Sequence, residues 1–141
     1  MNTMESKKSG AGMIALMTLS SYFIASNIML TGRNGIYNHT NKVYMALLMA
    51  DIMALIDGIQ NKKPITIGIS ALAGAALVVL IRKQVFVSNK QFTKGMIEHH
   101  DMAILMAEKI KEKTDDEEII KLADSILKNQ QSEINLMKSW L

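Results

Sequence analysis

The residues best suited to chemistry lie around His99 and His100, in a chain of 141 residues with 12 methionines and no cysteine. On a helix, adjacent histidines point about 100° apart. Met96 then shares a face with His100, while Met102 and Met106 share the neighbouring face with His99. Thioether and imidazole together form a ligand set that suits Cu(I), and imidazole also accepts Cu(II). We therefore treat this group as a candidate copper site.

A second helix is predicted to follow the short junction at residues 113–114 and to run antiparallel to the first. That arrangement places Gln130 and Glu133 within about one turn of Met96 and the histidines. An amide and a carboxylate thus join the possible copper ligands. The alternative stays open, in which Gln130 only hydrogen-bonds His100 as a buried polar pair that sets the helix register.

Local signals define the ends of these two helices. Ser88 or Asn89 can cap a helix that begins at Lys90. Thr114 and Glu117 have the spacing of a capping box at the start of the second helix. Two helices of about 50 residues in total have too small a core to stand alone. We expect two such hairpins to pair as a homo-oligomeric four-helix bundle.

The first part of the chain is predicted to lie in a membrane. Residues 12–31 and 65–81 contain no charged side chain, and residues 43–59 form a third apolar helical segment. Asp51 lies within that third segment, where an ionised acid costs about 3 kcal/mol, so it should be neutral, paired or in a helix interface. The small residues Ser70, Ala71, Gly74 and Ala75 have small-x-x-x-small spacing, which allows another helix to approach closely. Three spans are expected, with an interfacial middle helix as the alternative.

The charge distribution agrees with this division. Residues 1–87 hold 8 basic and 3 acidic side chains, a net +5, and residues 88–141 hold 8 basic and 10 acidic ones, a net −2. This split indicates flanking charges on membrane segments rather than a nucleic-acid surface. Lys7 and Lys8 favour a cytoplasmic N-terminus, which with three spans puts the C-terminal domain outside the cytoplasm. A cleaved signal peptide is the competing interpretation of residues 12–31.

Enzyme motifs are missing from the sequence. It has no G-x-S-x-G, no glycine-rich phosphate loop and no H-E-x-x-H. His99, His100 and Asp101 have no nucleophile arranged with them. A di-iron oxidase of the bundle type needs Glu-x-x-His motifs, and Glu98 directly before His99 does not provide one. We therefore expect a binding protein, with a ferritin-type metal oxidase as a less favoured third class.

Two motifs resemble those of a known family. The run GMIEHHDMAI at residues 95–104 is similar to the M-I-P-H-H-x-M-A core of the domain of unknown function 305 family. The second helix resembles the family's Q-x-x-E-I-x-x-M-x-x-W-L ending, so the likeness covers residues 90–141. The run YMALLM at residues 44–49 is similar to members that have three membrane helices ahead of the domain.

The resemblance implies a ferritin-like helical fold and metal handling, since some relatives bind copper through Met and His outside the cytoplasm. Carried over by position, the candidate ligands are Met96, His99, His100, Met102, Met106, Gln130, Glu133 and Met137. The chain departs from the family at Glu98, where Pro is usual.

The prediction is thus an all-α protein with a membrane region at residues 1–87 and a ferritin-like hairpin domain at residues 88–141. Its expected function is to hold or buffer copper through the hairpin while anchored in a membrane. The alternative is a structural protein whose hairpin oligomerises and whose histidines are polar core groups.

Overall fold

A computed structural model describes the backbone of residues 2–141 and the side chains of residues 10–141. Within that range the chain is helical throughout and has no strand, which confirms the predicted all-α class. The helices are α1 (Asn2–Ser20), α2 (Thr40–Gln60), α3 (Pro64–Arg82), α4 (Asn89–Lys111) and α5 (Glu117–Lys138). A π-helical segment (Ser21–Ala25) continues α1, and a 3-10 turn (Arg33–Gly35) precedes α2.

The helix ends follow local capping chemistry. The Ser88 hydroxyl accepts from the Gln91 amide at 3.3 Å and caps α4, one of the two predicted options. The predicted capping box of α5 is wrong, because Asp116 is the N-cap and accepts from the amides of Glu118 and Ile119. A carboxylate at this position satisfies two amides and also places negative charge at the positive end of the helix.

The chain forms two compact units. The first contains the chain up to Ser26 together with Thr40–Phe86. The second contains Asn27–His39 together with Val87–Leu141. Asn27–His39 thus groups with the C-terminal helices, although it lies within residues 1–87, the predicted membrane region. We call this stretch the strap.

In the first unit, α1 and α3 both contact α2. Helices α2 and α3 are long and apolar enough to cross a membrane, whereas the apolar part of α1, Gly10–Ala25, is shorter. The predicted segment 12–31 is therefore helical only as far as Ala25, and Thr31 lies in the strap.

The contact between α2 and α3 uses the predicted small residues. Ser70 is buried, and a Cβ placed on Gly74 would come within 2.7 Å of the Asp51 Oδ2 atom. Ala71 and Ala75, by contrast, are exposed. The carboxyl of Asp51 therefore occupies the space that Gly74 leaves, in the interface between the two helices.

In the second unit, α4 and α5 pack along each other and run in opposite directions. His100 meets Glu133 near one end, and Lys111 meets Asp124 near the other. The core between them is an apolar cluster of Ile97, Ile104, Ile134 and Met137. Tyr37 of the strap packs against the same cluster, so the strap contributes to the core.

Candidate functional site

The two adjacent histidines have different environments. His100 is buried, at 6% exposure, on the face of α4 that contacts α5, and His99 is exposed. His100 Nδ1 lies 2.7 Å from the Met96 carbonyl oxygen, so Nδ1 donates a hydrogen bond there. His100 Nε2 lies 2.6 Å from Glu133 Oε2, with one proton between nitrogen and oxygen. The ring orientation is thereby set from both sides.

This geometry resembles that of many metal-binding histidines. A ligating imidazole usually donates its second N–H to a carbonyl or carboxylate, which sets the tautomer and aims the other nitrogen at the metal. In His100 the Met96 carbonyl fixes Nδ1, which leaves Nε2 as the ligating nitrogen. The Glu133 carboxylate opposite it is 57% exposed, so it has room to move.

The distance between the two imidazoles is at the limit for one shared ion. Their ring centroids lie 6.1 Å apart, at an interplanar angle of 65°. With metal–nitrogen bonds of about 2 Å, two rings on one ion have centroids up to roughly 6 Å apart. The observed separation of His99 and His100 is thus at the upper limit for one shared two-coordinate ion.

The predicted thioether ligands have different environments. Met137 belongs to the buried apolar cluster, and Met96 is half-buried against that cluster. Met102 is half-buried further along α4, and Met106 is 59% exposed beyond it. Only Met96 is one helical turn from His100.

Two other expectations concern oxygen and nitrogen ligands. The side chain that meets His100 is that of Glu133, while Gln130 is half-buried one turn earlier on α5. Among the described residues, no group of three His, Asp or Glu side chains is close enough to hold a metal ion. A metal at this place would therefore have a small ligand set centred on the imidazoles.

Sequence reasoning noted Glu98 as a carboxylate beside the histidines but did not foresee its partners. Glu98 is buried at 4% exposure, and its Oε1 accepts from the Tyr37 amide at 2.6 Å. Its Oε2 lies 3.0 Å from His39 Nε2, which is nine-tenths buried. The one available signal was the departure from the usual Pro at position 98.

A second buried carboxylate holds the other end of the strap. Asp101 Oδ2 accepts from the Thr31 amide at 2.7 Å, and Oδ1 accepts from the Thr31 hydroxyl at 2.5 Å. Gly35 packs on the same carboxylate, because a Cβ there would lie 2.8 Å from Oδ2. Glu98 and Asp101 lie three residues apart on one face of α4. Together they bind the strap to the helix that holds His99 and His100.

Comparison with known proteins gives the family. The family model described as Domain of unknown function (DUF305) matches residues 71–141, half of the chain. The chain belongs to the DUF305 family. It is also 36% identical over 138 residues to the "Uncharacterized protein L153" of Acanthamoeba polyphaga mimivirus, an alignment that covers 92% of this chain and 91% of that protein. No solved structure matches.

The DUF305 match contains both α4 and α5 and thus every predicted site residue. It begins at residue 71, so the strap lies outside it. The hydrogen bonds of Glu98 and Asp101 therefore connect the family domain to the strap, which lies outside the residues that match the family.

Gly35→Ala is expected to destabilise the protein by about 1–3 kcal/mol, since the new Cβ displaces the Asp101 carboxylate from its two hydrogen bonds. Gly32→Ala is the matched control, because a Cβ there meets nothing within 4 Å and its φ of −174° is extended backbone. Thermal unfolding measures both variants. Equal midpoints for Gly35→Ala and Gly32→Ala would contradict the packing described.

Proposed function

We propose that this protein holds or buffers copper through His99 and His100, and that it is a binding protein rather than an enzyme. The observation that supports this proposal best is the orientation of His100, whose Nδ1 donates to a backbone carbonyl while Nε2 faces an exposed, movable carboxylate. A copper ion would replace the proton between Nε2 and Glu133 Oε2. The His99 ring is close enough to share that ion.

The donor set also determines which copper ion fits. Two imidazoles with one nearby thioether suit Cu(I), and imidazole with carboxylate suits Cu(II). Met96 is the thioether one turn from His100, so it is the methionine we assign to the site. Met106 is 59% exposed, and Met137 belongs to the buried apolar cluster. We place Met102, Met106, Gln130 and Met137 outside the first set of ligands.

Copper titration of the full-length protein tests the assignment. His100→Ala should weaken Cu(I) binding by about tenfold or more, because it removes a ligand held in position by its second nitrogen. His39→Ala is the matched control, since His39 is also a buried histidine bonded to a carboxylate but lies on the strap. Equal losses in the two variants would show that fold disruption, not ligation, lowers the affinity.

Two further measurements separate the alternatives. Met96→Leu should weaken Cu(I) more than Cu(II), since Cu(II) prefers imidazole and carboxylate to thioether. Oxygen consumption with added iron would instead support the ferritin-type oxidase. A ferritin-like hairpin remains our proposal for the arrangement of α4 and α5.

We further propose that the first unit lies in a membrane. On α3 the only buried residue is Ser70, while large apolar side chains face outward: Ile65 is 78% exposed, Leu72 76% and Ile69 64%. Burying such side chains fully contributes about 1.5–3 kcal/mol each, so water is an unfavourable environment for this surface. A bilayer provides apolar surroundings for these side chains, and the backbone of α3 needs no water because its hydrogen bonds are made within the helix.

The strap supports one topology over another. The hydrogen bonds of Thr31 to Asp101 and of Tyr37 to Glu98 join chain segments that lie on either side of α2 and α3 in sequence. Hydrogen bonds cannot reach across a hydrocarbon layer of about 30 Å. An even number of crossings must therefore separate the strap from α4, so α2 and α3 either both cross or both stay on one side. The exposed apolar surface of α3 favours the first arrangement, in which both cross. This arrangement disfavours an interfacial α2, and we propose that the shared face is outside the cytoplasm.

Single cysteines can report this topology, because the chain has no native cysteine. Cysteine in place of Asn34 on the strap or of Lys128 on α5 should react with an impermeant maleimide from the same side of the membrane. Cysteine in place of Gln60, at the end of α2, should react from the opposite side. All three positions are exposed. Reaction of the Asn34 and Gln60 positions from one side only, opposite to Lys128, would contradict the proposal.

An assembly function is the second candidate, and a specific surface favours it. The end of the α4–α5 pair away from His100 has an open apolar groove lined by Met106, Ile110, Leu122 and Ile126 among others. Met106 is 59% exposed and Leu122 57% exposed. A second copy of the same helix pair would cover this groove and complete a four-helix bundle.

Leu122→Glu tests the assembly, because a charge in the groove opposes burial against a second copy. We expect the dissociation constant of the oligomer to rise by at least about tenfold, which corresponds to about 1.4 kcal/mol. Sedimentation measures the mass in detergent, with Lys121→Glu as the control at a neighbouring exposed position. A wild type that sediments as a monomer would remove this candidate.

A further inference from the structure

Two aromatic side chains are exposed at one end of the α4–α5 pair. Phe92 on α4 is 54% exposed, and Trp140, in the turn that follows α5, is 63% exposed. The contact of His100 with Glu133 shows how the two antiparallel helices are aligned. Phe92 precedes His100 by about 12 Å and Trp140 follows Glu133 by about 10 Å, so both lie at the same end. We call this end, residues 88–97 and 133–141, the aromatic end.

The exposed apolar side chains of the aromatic end belong to neither apolar contact described above. Leu136 is a third such side chain, at 53% exposure. The buried cluster lies between the two helices and does not include these residues. The open groove that a second copy would cover is at the opposite end of the pair. Phe92, Leu136 and Trp140 are therefore covered neither by the core nor by the proposed four-helix bundle.

The two ends of the pair also differ in charge. The aromatic end holds 3 basic and 1 acidic side chains, a net +2, whereas residues 107–125 at the opposite end hold 4 basic and 7 acidic ones, a net −3. Three of the four lysines at the opposite end form ion pairs. The lysines of the aromatic end form none within the part of the chain that the structure describes, and they are Lys90, Lys94 and Lys138. Their ammonium groups are thus available to an anionic partner.

The segment that leads into α4 contains a further exposed aromatic residue. Phe86 is 82% exposed, and its φ of 58° lies in the left-handed region, which a bulky residue rarely adopts. Two hydrogen bonds from α2 hold this backbone. The Tyr44 hydroxyl donates to the Val85 carbonyl at 2.8 Å, and the Thr40 hydroxyl donates to the Phe86 carbonyl at 3.4 Å. The fold thus maintains a strained backbone in which the Phe86 ring is exposed.

The position of Phe86 in the chain places the start of α4 near the bilayer surface. Aromatic and basic residues at the ends of membrane helices are typical of the headgroup region, and Phe86 follows Arg82 and Lys83 at the end of α3. Helix α4 begins at Asn89, three residues later, which is a distance of at most about 11 Å. The headgroup layer is itself roughly 5–8 Å thick. The first turn of α4, which contains Phe92, is therefore within reach of lipid headgroups.

We propose that the aromatic end is a lipid-binding surface that docks on the headgroup region of the bilayer. Its aromatic rings lie among the headgroups, where a ring has apolar chains on one side and water on the other. Its lysines place their ammonium groups on lipid phosphates, while their apolar stems cover the neighbouring surface. This inference rests on the membrane placement of the first unit proposed above. Docking at this end leaves the opposite groove free for a second copy.

Trp140 is the only tryptophan in the chain, so the fluorescence of the full-length protein reports on the aromatic end alone. In vesicles of phosphatidylcholine and phosphatidylglycerol, lipids brominated near the top of their acyl chains should quench this fluorescence about twofold, because the ring lies at the interface. The control combines Trp140→Phe with Lys121→Trp, which moves the probe to an exposed position at the opposite end. Its fluorescence should not change. Equal quenching at both positions, or none at Trp140, would overturn the proposal.

Charge reversal tests the lysines. Lys90→Glu combined with Lys138→Glu should lower the quenching of Trp140 about twofold, because two exposed cations that bind lipid phosphates become anions. Lys113→Glu combined with Lys121→Glu makes the same change of charge at the opposite end and should retain the quenching. The same quenching in the two double variants would contradict the proposal.

Two measurements distinguish the ways in which the proposal can fail. Alkaline carbonate extraction tests the membrane placement: an extracted protein contradicts that placement, whereas an integrated protein with an unquenched Trp140 contradicts this inference only. Acrylamide quenches tryptophan that is exposed to water. A Trp140 shielded from acrylamide but unaffected by the brominated lipids would lie in a protein contact, such as one with a second copy, and this result would also contradict the lipid-binding surface.

Discussion

Glu98 and Asp101 hold the strap on α4, and much of the second unit depends on the need of these two buried carboxylates for hydrogen-bond donors. A buried carboxylate without donors is costly, and here Tyr37, His39 and Thr31 provide them. Each donor comes from a segment 59 to 70 residues away in sequence. The strap is therefore bound to α4 at both of its ends, and its Tyr37 completes the apolar core.

The three histidines have different environments because they differ in their carboxylate partners. His39 pairs with Glu98, His100 pairs with Glu133, and His99 is exposed. His39 is a donor within a buried structural pair. His100 has one nitrogen held by a carbonyl and the other next to a movable carboxylate, an arrangement compatible with metal ligation. The two histidine–carboxylate pairs thus differ in burial, since Glu98 is 4% exposed and Glu133 is 57% exposed.

The first unit shows the same physical principle in an apolar setting. Asp57 near the end of α2 has a lysine partner, and Asp51 in the middle of the helix has none. Gly74 makes room for the Asp51 carboxyl, so the helix interface is adapted to an acid. In both units, therefore, a carboxyl group meets a residue that lies far from it in the sequence, Thr31 in the case of Asp101 and Gly74 in the case of Asp51.

Local patterns in the sequence determined the positions of the helices, one helix cap and the family. Periodicity and charge predicted the helices at residues 43–59 and 65–81, observed at Thr40–Gln60 and Pro64–Arg82. A short motif around His99 and His100 identified the family, and Ser88 was one of the two caps predicted for α4. These features depend on residues within a few turns of each other, so a single sequence contains the information.

Only the tertiary structure decided which residues far apart in sequence meet. It joined the strap to α4, paired His39 with Glu98 and His100 with Glu133, and packed Met137 in the apolar core. Asp51 faces Gly74 for the same kind of reason. Helical periodicity defines a face only to within a broad stripe, whereas a hydrogen bond requires atoms within about 3 Å. That precision comes from the packing of whole helices and is absent from local spacing.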